Sequence, residues 1–349
     1  MDLLDLEGRA RAVVEAAAFA YISGGADDEL TLTDNVAAWN RYRFRPRVLR
    51  DVSSVDVTTT VLGSPVGSPV LVAPTAYHRL VHPDGERATA RAASQAGTGM
   101  VVSTMSSVPL EDIAAAAPDG LHWFQLYVHA DRSMTVSLLR RAEAAGYRAL
   151  VVTVDTPRLG RRRRDGVHGF SLPAGIEAAN LAGRGVGHGN LAAYASSSFD
   201  PSLTFDAVRW LCSQTTLPVV VKGVLRGDDA AACIDAGAAA IAVSNHGGRQ
   251  LDAAIATADA LADVVQAVAG RGEVYVDGGI RRGSDVLRAL AMGARAVSVG
   301  RPVMWGLALG GAAGVRDVLT AFAAETEAAF ALAGVASCAD VSPDLLARS

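Results

Sequence analysis

Lysine is almost missing from this chain. Of its 32 basic residues only one, Lys222, is a lysine. The Ala-, Gly- and Val-rich background points to a coding bias that writes basic residues as arginine. A lysine that persists there marks a position where a compact ammonium is needed and a planar guanidinium would not fit. Cysteine is sparse as well. Cys212, Cys233 and Cys338 lie far apart with no CxxC pair, which excludes a disulfide scaffold, offers no metal site and fits a reduced, cytoplasmic setting. Charged residues make up 19% of the chain and the net charge is −4, so nothing pulls it globally toward nucleic acid or an anionic membrane. No uninterrupted apolar run reaches the roughly 18 to 20 residues of a membrane span. The first 25 residues mix acids and arginines into their apolar positions, unlike a signal peptide.

What the chain does have is a large apolar fraction, 50%, enough to bury a substantial core. Its 349 residues are read as a single domain, because α/β barrels commonly spend 250 or more residues on one. Residues 1–68 form a front piece. Leu3, Leu6, Ala10, Val13, Ala17 and Tyr21 recur at helical spacing, Gly24–Gly25 breaks the run, a helical pattern resumes from Asp28 to Tyr42, and 46–68 reads as short extended pieces. From Pro69 on, β-branched runs alternate with Ala-rich helical stretches. The runs are PVLVAP (69–74), MVVS (100–103), HWFQLY (122–127), ALVVTVD (149–155), PVVVKG (218–223), AIAVSNHGG (240–248), VYVDGG (274–279) and AVSVGR (296–301). Helices are expected over 85–96, 110–116, 131–145, 228–236, 256–269, 284–291 and 315–331. Eight strand–helix units in series predict a closed (β/α)₈ TIM barrel. A doubly wound open sheet would want a glycine-rich turn after its first strand, and PTAYHR is not one. Residues 156–205 break the rhythm and read as a long, functional, mobile loop over the barrel mouth.

The polar residues collect at the C-terminal ends of the strands, the face on which a barrel carries its site. Glycines in VDGGIRRG (276–283) and VGRP (299–302), with Arg281 and Arg301, suit a phosphate. Ser103, Gln125 and Thr153 are neutral hydrogen-bonding groups suited to the edge of a flat heterocycle, and Lys222 offers it a fixed cation. A phosphate, a polar edge and a cation together describe FMN. In SNHGGRQLD (244–252), His246 is the natural base at neutral pH, Arg249 can fork onto a carboxylate, and Asp155 is the anion to hold the imidazolium. Arg161 to Arg164 form a charge run, most of it a solvated loop, from which one arginine could reach inward. Three other readings stand beside this one. They are a non-redox lyase with Lys222 as Schiff-base nucleophile, a nucleotide dehydrogenase, which would need a cysteine at the mouth, and a flavin-binding protein without activity.

The motifs YISGGADDE, FRPRVLRDV, APTA, FQLY, TVDTPRLGRRRRD, VVKGV, SNHGGRQLD, DGGIRRG and VGRP resemble those of the FMN-dependent α-hydroxy-acid oxidising enzymes, from about Tyr21 to about Gly334. That resemblance implies FMN as cofactor and oxidation of an L-2-hydroxy acid to the 2-oxo acid. The long loop lacks the apolar, basic insertion of membrane-bound mandelate dehydrogenases, so O₂ is the expected electron acceptor and H₂O₂ the product, with a dehydrogenase as the alternative. It implies His246 as base, Asp155 as its stabiliser, and Tyr21, Tyr127, Arg162 and Arg249 around the substrate. It also implies FMN contacts from Thr75, Ala76, Ser103, Gln125, Thr153, Lys222, Ser244, Asp277, Gly279, Arg281, Gly300 and Arg301, and a homo-oligomer, tetramer or octamer. Met105 stands where glycolate oxidases carry a tryptophan, and PTAYHRLVHPDGE resembles hydroxymandelate oxidase. An aromatic substrate is therefore expected, with lactate or glycolate as the alternative.

Overall fold

A computed structural model describes residues 1–181, 194 and 198–348. Eight parallel strands close into a barrel: β1 (Val70–Val72), β2 (Gly99–Val102), β3 (Leu121–Leu126), β4 (Ala149–Thr153), β5 (Val219–Val224), β6 (Ala240–Val243), β7 (Glu273–Asp277) and β8 (Ala296–Val299). β8 pairs with β1 through Val297–Val70, which closes the ring. The strands are nearly continuous apolar runs because helices cover their outer face and side chains fill their inner one. The inward layer near the base holds Leu71, Val101, Trp123, Val151, Val220 and Tyr275, and a hairpin (Thr59–Val61 with Ser64–Val66) plugs it from below with Val61 and Val66.

The front piece folds as α1 (Leu6–Arg11), α2 (Ala16–Ser23) and α3 (Leu30–Ala38). The run expected to be helical up to Gly24 is interrupted at 12–15, where Glu15 caps α2 by accepting from Ala18 N–H at 2.9 Å. The barrel helices are α4 (Gly85–Gln95), α5 (Leu110–Ala116), α6 (Arg132–Ala144), α7 (Phe205–Ser213), α8 (Gly227–Asp235), α9 (Thr257–Val268), α10 (Gly283–Ala291) and α11 (Arg301–Ala333). Two differ from expectation. α7 follows the stretch read as loop, where no helix was expected, and α11 starts at Arg301 rather than near 315. Gly310 and Gly311 take non-helical angles and kink α11, which is why the sequence pattern looks broken there. α11 is long and apolar enough by composition to cross a membrane; here its Val303, Met304, Trp305 and Leu307 are buried in the core. Strand β6 ends at Val243, so the SNHGG segment is a turn rather than strand. Within 156–205 the structure describes a short helix at Arg163–Val167 and a turn at Ala179–Leu181. The rest of the expected mobile loop, 182–193 and 195–197, lies outside the described residues.

Candidate active site

The strand ends open into one cleft with about 1180 Å³ of space between its walls, mouth included. All the site residues expected from the sequence line it except Asp155 and Ser244, which stand directly behind liners.

The floor is built from strand-end side chains. His246 Nδ1 lies 2.8 Å from Asp155 Oδ1. Burial, joined by Lys222 and Arg162, holds the imidazole below its ordinary value against the pull of Asp155. Asp155 stays ionised: burial opposes its charge, but His246, Lys222 and the Thr156 hydroxyl outweigh it. At neutral pH this leaves Nδ1–H donating to the carboxylate and Nε2 free as a base. The close approach depends on Gly223, whose φ is 108° and where a Cβ would stand 2.6 Å from Asp155 Cβ. The β5–β6 register slips at this point, between Lys222 and Val224.

Lys222, the lone lysine, is buried. Its Nζ donates to Ser244 Oγ at 2.7 Å and pairs with Asp277 Oδ2 at 3.1 Å, while Ser244 Oγ donates to Asp277 Oδ1 at 2.7 Å. Burial works against the ammonium, but Asp277 and Asp155 outweigh it and keep it protonated. From the neighbouring strand β4, where Thr153 pairs in register with Lys222, a row of neutral groups runs on toward β2: Gln125 Nε2 donates to Thr153 Oγ1 at 3.1 Å and Ser103 Oγ donates to Gln125 Oε1 at 3.3 Å. Thr75 and Ala76 follow β1 on the same wall.

The β7 and β8 ends carry Gly279, Arg281, Gly300 and Arg301, with Arg301 opening α11. Among the described residues Arg301 donates to backbone carbonyls: Ile22 O at 3.1 Å, Gly24 O at 2.9 Å and Gly247 O at 3.1 Å. Arg281 Nη1 donates to Ile280 O at 2.9 Å. Neither forms an ion pair among the described residues. Burial pushes both guanidiniums down from their usual value, and for Arg301 the nearby Arg249 and Arg281 add to it. Two half-buried cations, Arg281 just ahead of α10 and Arg301 opening α11, form a donor set for a phosphate. With the Ser103–Gln125–Thr153 row and the Lys222 ammonium, the residues fit FMN.

The outer part of the cleft is aromatic. Tyr21 stacks on Phe170 at 4.3 Å and Tyr127 on Phe199 at 4.3 Å. Arg162 and Arg249 sit over the Tyr21 ring at 5.7 and 5.0 Å. Burial beside Arg162 lowers Arg249 to about 10, and Arg162 Nε is buried without a hydrogen-bond partner. Two converging guanidiniums of this kind suit a carboxylate. Burial and Asp155 raise the Tyr127 phenol, so it stays a neutral hydroxyl. Met105 is buried and lines the cleft; Tyr77 is buried too and donates its backbone N–H to Met105 O at 3.2 Å, but it is not among the lining residues. The sequence reading missed Leu159, Phe199 and Met304. Leu159 sits inside PRLGRR, Met304 one turn after Arg301, and no local signal marks Phe199.

The chain matches the family described as FMN-dependent dehydrogenase over residues 10–348. It is 49% identical to an L-lactate oxidase from Nostoc sp., covering 99% of this chain and 98% of that protein. It is 45% identical to human 2-hydroxyacid oxidase 1, covering 95% and 92%. A crystal structure of mandelate oxidase with (S)-4-hydroxymandelic acid superposes with a TM-score of 0.94 at 45% identity, covering 99% of this chain and 98% of the other.

Proposed function

The chain belongs to the FMN-dependent dehydrogenase family, and on that premise we propose that it oxidises aromatic L-2-hydroxy acids of the mandelate type to 2-oxo acids. It is an FMN-dependent 2-hydroxy-acid oxidising enzyme. FMN, when bound, accepts the two electrons the acid loses and passes them to O₂, giving H₂O₂. Ser103, Gln125, Thr153 and Lys222 would hold its ring, and Gly279, Arg281, Gly300 and Arg301 its phosphate end. Arg162 and Arg249 grip the substrate carboxylate, the neutral Tyr127 hydroxyl donates to it or to the substrate hydroxyl, and His246 Nε2 takes up a substrate proton. Asp155 steadies the imidazolium so formed. A cytoplasmic homo-oligomer remains the reading for its setting.

The observation that carries the aromatic assignment is the wall of the outer cleft, where Met105, Leu159 and Phe199 present apolar surface beside the stacked Tyr21 and Tyr127 rings. A phenyl ring buried there gains a few kcal/mol at ~25 cal/mol per Å², and glycolate has no side chain to collect it. The mandelate oxidase structure with (S)-4-hydroxymandelic acid supports the reading. We expect mandelate to exceed glycolate in kcat/KM, and Met105→Trp to reverse the order by filling the wall. Measuring both acids on both proteins by peroxide release tests this. A wild type that prefers glycolate or lactate assigns the enzyme to short aliphatic acids.

A further inference from the structure

Asn35 belongs to the front piece, on α3, outside the barrel, and it is buried. Its side-chain amide interlocks with that of Asn245. Asn35 Nδ2 donates to Asn245 Oδ1 and Asn245 Nδ2 donates to Asn35 Oδ1, both at 2.8 Å. Asn245 immediately precedes the base. Its Oδ1 also accepts from Gly248 N–H at 3.2 Å and its Nδ2 donates to Ile255 O at 3.1 Å, so the side chain braces the turn on both sides of His246. That turn needs bracing. His246 has a φ of 59°, a left-handed conformation that is strained for a residue with a Cβ.

The same residue touches the phosphate end. The backbone oxygen of Asn35 stands 1.9 Å from where a Cβ on Gly279 would be, so the Gly278–Gly279 turn is seated directly on it. Asn35 Oδ1 also accepts from Thr257 N–H at 3.3 Å. Gly278 O in turn accepts from Thr257 Oγ1 at 3.3 Å and from Trp39 Nε1 at 3.0 Å, one turn on from Asn35. A single buried amide thus joins the turn carrying the base to the turn that would hold the flavin's phosphate arm.

We propose that Asn35 is a positioning residue. Through Asn245 it holds His246 in its left-handed conformation, aimed at Asp155, and through Thr257 its side chain steadies Gly278 in the FMN phosphate turn. The proposal rests on the family's flavin chemistry but not on which acid is the substrate, so any 2-hydroxy acid that the wild type oxidises serves in the test.

Asn35→Ala withdraws both hydrogen bonds to Asn245 and the acceptor of Thr257 N–H, while the backbone seat under Gly279 stays. In the FMN-saturated variant, the anaerobic flavin reduction rate should fall between about tenfold and a hundredfold, as expected for a displaced catalytic group. FMN binding to the apoprotein, followed by quenching of flavin fluorescence, should weaken roughly fivefold, the worth of one neutral hydrogen bond. The groups facing His246 are Asp155, Lys222 and Arg162. A ring turned from Asp155 loses its one anionic neighbour among them, so the acid limb of the reduction rate should move to lower pH. General loosening of the core would admit water, relieve burial and move the limb the other way. If Asn35→Ala does not accumulate as folded protein, Asn35→Ser, which keeps a small polar group, carries the same readouts with smaller shifts in the same directions. Reduction at the wild-type rate, an acid limb that stays or moves to higher pH, or unaltered FMN affinity overturns the proposal. Failure of the wild type to oxidise any 2-hydroxy acid would instead overturn the functional assignment.

Discussion

Two groups of basic side chains line the barrel mouth, and they are balanced differently. Lys222 and His246 each have an acid of their own, Asp277 at 3.1 Å and Asp155 at 2.8 Å. Arg249, Arg281 and Arg301 have none among the described residues. Arg249 donates to Tyr21 O at 2.7 Å and Gly24 O at 2.9 Å, and Arg301 likewise reaches carbonyls. Carbonyls satisfy hydrogen bonds but do not neutralise a charge. The first group is complete within the chain and suits chemistry that moves protons and electrons. The second has no acid of the described residues within ion-pair distance, which suits it to anions from outside such as a phosphate or a carboxylate.

The largest effect expected from this contrast falls on the balanced side. His246→Ala should retain FMN, since the phosphate and ring contacts lie elsewhere, yet slow flavin reduction by a 2-hydroxy acid by on the order of 10² to 10⁴. Anaerobic stopped-flow measures it directly. In the wild type the reduction rate should rise with pH and level off below the ordinary histidine value, because burial depresses His246 and the neutral ring is the active form. A rate for His246→Ala equal to wild type would move the base to another residue.

A middle-sized effect belongs to the unbalanced side. Apoprotein should be stabilised by inorganic phosphate, by about 2.7 kcal/mol at a hundredfold excess over Kd, read as a rise in Tm. Arg301→Ala should lose most of that rise, while the Lys222–Asp277 pair is left intact. A phosphate response equal in variant and wild type would place the anion away from Arg301.

How legible this arrangement was depended on the residue. The barrel strands were plain because double-sided burial makes them short apolar runs, and Lys222 stood out against an arginine background. The His–Gly–Gly–Arg turn was legible as chemistry, but its conformation was not. Nothing local announces that His246 is left-handed or that Asn35, more than two hundred residues away, braces it. Phe199 was invisible for the same reason: it reaches Tyr127 only because the chain returns to pair with the segment after β3, with Ala130 N–H donating to Ser198 O at 2.9 Å. α11 was read short because Gly310 and Gly311 interrupt its pattern while the helix resumes beyond them.

The smallest effect concerns the charge run at 161–164, where the two ways of holding charge meet. Arg162 turns inward over Tyr21, and its neighbours reach out to the acids of the front piece. Arg163 pairs with Asp28 at 2.5 Å, Arg164 with Glu29, and Arg161 lies 4.0 Å from Asp27. The run is thus a row of surface ion pairs flanking one half-buried arginine that turns into the cleft. Just before it, Gly160 is fixed without charge, its N–H donating to Gln250 Oε1 at 3.1 Å. Salt should therefore loosen the Arg162 end of the segment and spare the Gly160 end. Exposed pairs are worth about 0.2–1 kcal/mol each, and at 1 M salt the screening length is about 3 Å. KM for the hydroxy acid should rise by roughly two- to fivefold between low and 1 M salt, with kcat little altered. Screening of the carboxylate by Arg162 and Arg249 would add to the same trend, so the variant decides. Asp28→Asn should begin with a raised KM at low salt and respond less to added salt. A salt response as steep as that of the wild type would mean that salt acts on the carboxylate contact of Arg162 and Arg249 and not on the ion pairs on either side.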